Sequence, residues 1–201
     1  MPALPVTQAA GVERKQAVIL LAELRGFTRM SEMLEPALVL ELANGFFGMV
    51  AQAVERHGGD VTQIVNDNLQ ATFSGEAAAA AVQAAQEIQV GFAPLEESWT
   101  RDYGIKPAVA LGLHRGDAVF GEAKGPAFPR RIVFGDCVSV AERLLHRARA
   151  GEFVLSQTVM DALEAAGNAP RAEALAPLEL PRREPVRLYG VQLDTQLDFT
   201  A

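Results

Sequence analysis

The chain has 201 residues, 49% of them apolar and 21% charged, and a formal charge of −7. A single globular unit of this size buries a substantial core without disulfides or a structural metal, and the composition excludes disorder over most of the length. The negative charge argues against a nucleic-acid polymer or an anionic membrane as the main partner, while small anions remain compatible with local arginines.

In chain order, residues 1–15 read as a loosely held arm, because Pro2, Pro5 and Gly11 interrupt it and no hydrophobic period runs through it. The arm lacks the basic start and apolar core of a signal peptide. No apolar run approaches the ~20 residues of a membrane span, so no membrane is expected within this chain. Cys137 is the only cysteine, which rules out an internal disulfide and makes a reducing, cytoplasmic setting the expectation. A place as one domain of a larger signalling protein is compatible with these features.

The run at 17–23 is short and aliphatic and is followed by Gly26, which predicts a strand buried on both faces that carries Glu23 to the mouth of a turn. Phe27 and Thr28 follow the glycine and a helical pattern begins near Ser31, leaving the N–H groups of the turn to face a phosphate. From Glu35 to His57, Leu38, Leu42, Phe46, Met49, Ala53 and Val54 recur at helical spacing, and Gly58–Gly59 supply a stop. Gly45 and Gly48 inside this helix cost ~1 kcal/mol each against alanine, and so predict close packing against a neighbouring element of this or another chain.

Val61–Val65 and Leu69–Phe73 read as a hairpin with Asp67 at its tip. Residues 75–97 form an alanine-rich helix, half-exposed on a sheet. Pro107–His114 is predicted as a strand that turns back as Gly116–Gly121, and EAKGPAFPRR is a flap leading into a short strand at Arg131–Phe134. A helix capped by Asp136 follows, with Cys137, Ala141, Leu144, Leu145 and Ala148 as its core stripe and Gly151 as its end. A strand at Glu152–Leu155, a helix at Gln157–Ala165, and strands near Ala174–Leu180 and Val186–Leu193 complete the order. The class is therefore α+β, a ferredoxin-like βαββαβ core with additional C-terminal strands and helix.

Six blocks, LAELRGFT, ERHGGD, IVNDNLQATF, LGLHRGDAVFG, VFGDCVSVAERL and REPVRLY, resemble in order and spacing the catalytic domain of class III nucleotidyl (adenylate/guanylate) cyclases. The resemblance covers residues 16–193, leaving 194–201 as a tail. It implies a head-to-tail homodimer with each site shared between two chains. It also implies a nucleoside triphosphate substrate, Mg²⁺ or Mn²⁺ as a pair of ions, and attack of a ribose 3′-oxygen on the α-phosphate with loss of pyrophosphate.

The metal positions implied are Glu23, where the family usually has aspartate, and Asp67. The extra methylene of Glu23 displaces its carboxylate by ~1.5 Å. Gly26, Phe27 and Thr28 form the implied phosphate-cradling turn. The base-reading lysine position falls on Gln63 and its partner on Ile132, which offers no hydrogen bond. Ser139 stands at the ribose-orienting asparagine position, Arg143 at the transition-state arginine, and Leu180 at a phosphate-binding lysine. The altered positions outnumber the retained Asp67 and Arg143, so the expected function is a cyclase-like domain of cyclic-nucleotide signalling with weak or lost catalysis. An active, divergent cyclase is the alternative.

Other signals read as structural. His57, His114 and His146 share no ligand spacing, Cys137 belongs to an apolar stripe, and the Arg182–Arg183 pair is too isolated to bind nucleic acid.

Overall fold

The computed structural model describes residues 12–122, 131–181 and 184–192. Eight strands and five helices follow one another among them: β1 (Glu13–Arg25), α1 (Phe27–Met33), α2 (Pro36–Arg56), β2 (Asp60–Val65), β3 (Asn68–Ser74), α3 (Ala78–Tyr103), β4 (Ala108–Glu122), β5 (Arg131–Phe134), α4 (Asp136–Leu145), β6 (Glu152–Ser156), α5 (Gln157–Ala165), β7 (Glu173–Leu178) and β8 (Val186–Gln192). The strands form one sheet in the order β2-β3-β1-β4-β6-β8-β7, with β5 paired to β4. The β2-β3-β1-β4 portion is the expected ferredoxin-like core. Beyond it β6 joins β4 in parallel and β8 and β7 continue antiparallel.

Strand β1 is the spine because its side chains are buried on both faces, as its aliphatic run predicts. Val18, Leu20, Ala22 and Leu24 join Phe46, Ile88, Phe92 and Trp99 in the core under α2, α3 and α5. Ala17, Ile19 and Leu21 face the other way, into a smaller core with Val140, Ala141, Leu144 and Leu145 of α4. The period of two along one strand thus feeds two helical layers.

Several boundaries differ from expectation. β1 runs from residue 13, inside the predicted arm, because β4 pairs with it along its whole length from Glu13↔Phe120 to Arg25↔Ala108. The predicted reversal between His114 and Gly116 is absent. Gly116 has no positive φ to make a turn, and it continues a single strand whose partner is Ala17 of β1. Helix α1 starts at Phe27, not near Ser31, because Gly26 at φ 89° reverses the chain at once.

Helix α3 runs from 78 to 103, through Pro94, and stops at Gly104 in the left-handed conformation. Its apolar stripe continues to Trp99, which packs edge-on to Phe92 at 6.2 Å, so packing outweighs the hydrogen bond lost at the proline. Asp136 is not the cap of α4; Gly135 occupies that position and Asp136 lies in the first turn. The helix ends at Leu145, well before Gly151.

A Cβ on Gly45 or Gly48 would meet no described atom within 4 Å, so the close packing predicted for them is not made within the chain. By length and composition α2 is also apolar enough to cross a membrane, which corrects the expectation that no segment approaches a span. In the fold, one stripe of it, including Leu42, Phe46, Val50 and Val54, is buried in the core. The flap at 123–130, Arg182–Arg183 and the 194–201 tail lie outside the described residues.

Candidate active site

The site begins where β1 ends. A tight turn at Asn66 and Asp67 joins β2 to β3, with Val65 opposite Asn68 in the ladder and Asn66 held at φ 54°. Asparagine tolerates that left-handed geometry better than most residues. The N–H of Leu24 donates to the Asp67 carbonyl at 2.9 Å, and Glu23 lies opposite Asn68 in the β1–β3 register. Backbone pairing therefore brings the two carboxylate-bearing residues to one place.

Neither carboxylate is bare. Glu23 Oε1 is 2.8 Å from Arg25 Nη1, and its side chain is only 13% exposed. Arg25 Nη2 donates to the Leu145 carbonyl at 3.0 Å, at the end of α4. Burial raises the Glu23 carboxyl above its ordinary pKa, Arg25 and His146 oppose the rise, and the Asp67 charge adds to it. Asp67 Oδ1 accepts a hydrogen bond from Asn68 Nδ2 at 3.0 Å.

Among the described residues no cluster of three or more His, Cys, Asp or Glu side chains is placed to hold a metal ion. The donor set is Glu23 with Asp67, two hard oxygen groups whose like charges raise one another's cost. That set suits a hard cation such as Mg²⁺ or Mn²⁺ that takes most of its oxygen ligands from outside the protein, not a closed protein cage. Gly26 turns the chain immediately beyond, Phe27 is half-buried against the main core, and Thr28 is exposed in the first turn of α1.

A cleft of about 290 Å³ opens beside these residues. Its polar lining is rich in carboxamides, namely Gln63, Asn66, Asn68 and Gln70, and Leu21, Val65 and Leu145 supply apolar wall. Glu142 and His146 enter from α4. His146 is thus exposed at the cleft, not structural as expected, whereas His57 ties α2 to Glu87 of α3 and His114 is buried.

The other implied residues stand apart. Ser139 and Arg143 are exposed, one turn from each other on the side of α4 away from Cys137, Val140 and Leu144. Neither lines the cleft, and among the described residues neither pairs with Glu23 or Asp67. Ile132 is half-buried on β5 opposite Gly121 and also lies outside the cleft lining. Leu180 is a core residue at 7% exposure in the α4 layer. Cys137 is buried there too, and burial pushes its thiol pKa up, as an inert structural cysteine requires.

Nothing in the motifs singled out Arg25, Asn68 or Gln70. A strand places Arg25 on the same face as Glu23, two residues on. A two-residue turn at 66–67 places 63 opposite 70, so both signals were present in the spacing.

The fold is that of a nucleotide-cyclase type of domain. The profile described as "Adenylate and Guanylate cyclase catalytic domain" matches residues 11–192, and the chain belongs to that family. It is similar to an adenylate cyclase of Anabaena cylindrica, 27% identical over 144 residues, which are 68% of this chain and 28% of that protein. It is also similar to adenylate cyclase 2 of Rhizobium meliloti (strain 1021), 28% identical over 65% of this chain and 37% of that one. The chain thus spans about 28 to 37% of the length of these relatives.

Among solved structures, the adenylyl cyclase CyaB from P. aeruginosa superposes with a TM-score of 0.83 at 21% identity, covering 94% of this chain and 99% of the other. The guanylyl cyclase Cya2 superposes at 0.77 with 26% identity, covering 90% and 93%.

Proposed function

We propose that this chain is a cyclase-family domain of cyclic-nucleotide signalling that binds a nucleoside triphosphate and in which cyclisation is weak or lost. The observation that carries the reading is the Glu23–Arg25 ion pair. A glutamate one methylene too long for its role, already neutralised by a guanidinium tied to α4, is a poor start for ion-assisted phosphoryl transfer.

Glu23 and Asp67 would hold Mg²⁺ or Mn²⁺, which supplies charge to acidify an attacking hydroxyl and neutralise a triphosphate. The chain's own residues do the rest of the binding. The amides after Gly26 face the phosphates, as helix-start N–H groups do. Ser139 and Arg143 are exposed and, among the described residues, pair with neither Glu23 nor Asp67 of their own chain, so a head-to-tail homodimer would bring them to a partner's substrate. The buried, unbridged Cys137 suits a reducing cytoplasmic setting.

The alternative is an active, divergent cyclase that forms a 3′,5′-cyclic nucleotide and pyrophosphate. Retention of Asp67 and the exposed Arg143 favours it. Titration with ATP, GTP, CTP and UTP in Mn²⁺, following heat of binding and chromatographic product in the same samples, separates the two. Binding with little or no cyclic product supports the main reading. Turnover that disappears in Asp67→Ala establishes the active enzyme.

A further inference from the structure

We propose that Gln70 is the base-reading residue of the cleft, presenting a hydrogen-bond acceptor to the exocyclic amine of a nucleobase; this rests on the nucleotide-binding reading above. The sheet register is the first argument. Gln70 lies opposite Gln63 in β2 and opposite Leu21 in β1, so the three side chains share the sheet face covered by α4. All three line the same cleft.

The second argument is that Gln70 is held in one orientation. The register shifts between Val61 and Gln63, leaving Thr62 as an extra residue in β2 and re-aiming its side chain. Thr62 Oγ1 donates to the Gln70 carbonyl at 3.2 Å. Having spent its one proton there, Oγ1 can only accept from Gln70 Nε2, at 3.0 Å. The amide nitrogen is thus turned to Thr62, and Oε1 is the atom left for the cleft.

Gln70 is 8% exposed, and among the described residues its Oε1 takes no hydrogen bond. Oε1 is not among the buried orphaned atoms, so it is an acceptor fixed in direction and still reachable from the cleft by a donor that a ligand brings. The cleft has the size of a nucleoside, with amides at one side and Leu21, Val65 and Leu145 as apolar wall for a ring. An acceptor held in place favours a ring position bearing an amine over the same position bearing hydrogen or oxygen. Gln63, exposed at the rim, is not held in this way and adapts to either edge. Specificity then resides in Gln70, and Ile132 has no part in it.

The test is calorimetric titration of the full chain in Mn²⁺ with ATP and with purine riboside 5′-triphosphate, which lacks only the 6-amine. CTP and UTP form a second pair that distinguishes cytosine from adenine as the source of the amine. The amine-bearing member of one pair is expected to bind at least about tenfold tighter. Gln70→Leu, which removes the acceptor, and Thr62→Val, which releases its orientation, should each bring the two members within about twofold. Should Gln70→Leu fail to fold by circular dichroism, Thr62→Val alone decides. No preference in either pair, or a preference kept in the folded variants, overturns the assignment of Gln70. Absence of binding by every triphosphate overturns the nucleotide-binding reading beneath it.

Discussion

The guanidinium of Arg25 joins two elements at the mouth of the site: one nitrogen lies 2.8 Å from Glu23 Oε1 and another donates to the Leu145 carbonyl at 3.0 Å. The second contact places a cation at the C-terminal end of α4, where the helix dipole favours it. The first means that any cation approaching Glu23 and Asp67 competes with one already present. Arg25→Gln should therefore raise Mn²⁺ affinity roughly fivefold, the equivalent of a pair worth ~1 kcal/mol. Electron paramagnetic resonance of free Mn²⁺ during titration measures it, and an unchanged or weaker affinity would contradict the competition.

Gly112 of β4 lies directly beneath the backbone of α4. A Cβ there would stand 2.4 Å from the Leu145 amide nitrogen and 2.6 Å from the Ala141 carbonyl oxygen, both backbone atoms. Backbone cannot swing aside as a side chain does, so Gly112→Ala must lift the helix that carries Ser139 and Arg143. The expected cost is about 2–3 kcal/mol, a fall of roughly 5–10 °C in melting temperature. A melting temperature within about a degree of wild type would show that α4 is not seated this tightly.

Gly45 and Gly48 present the opposite case, because the space beside each is open. Alanine at either position should stabilise the isolated chain by about 0.5–1 kcal/mol through better helix propensity and a less flexible unfolded state. Differential scanning calorimetry of the double variant should show a higher midpoint. If the midpoint instead falls, and falls further at high protein concentration, the face is packed against a second chain.

At the far end of α2, Glu87 receives Arg56 and His57 together, with His57 Nε2 at 2.9 Å. The hydrogen bond from Arg56, foremost, holds the Glu87 carboxyl below its ordinary pKa of 4.5, despite some desolvation. A depressed acid adds stability above its unfolded pKa and loses it as pH falls through the lower folded value. Glu87→Gln should thus melt lower than wild type at pH 7, by no more than about 3 °C because the pair is partly solvated. The two melting curves should converge below pH 4.5, and a gap that persists there would mean the clasp acts by packing and not by charge.

Much of the fold was legible because the signals involved are local. Val18 to Ala22 form an aliphatic run that only a strand buried on both faces accommodates, and it is buried on both. Asn66 and Asp67 form a turn whose chemistry belongs to the residues themselves, and with it the 63↔70 pairing was already determined. Among the family blocks, Glu23, Asp67, Ser139 and Arg143 fall inside them and Gln63 and Ile132 directly precede two of them, which set all six on their elements before any coordinates.

What tertiary structure alone decided is who meets whom across long separations. Arg115 and Gly116 look like a turn in isolation, yet the length of β1 offers a ladder to β4 from Ala108 to Phe120, and pairing along that ladder outweighs a local preference. Pro94 looks like a helix end, but Phe92 and Trp99 share one core and draw α3 past it. Arg25 reads as an exposed cation beside a glycine until Leu145, 120 residues later, arrives to accept its second hydrogen bond. Periodicity and turn chemistry act over a few residues, whereas these choices are set by packing energy shared among segments that only the folded sheet brings together.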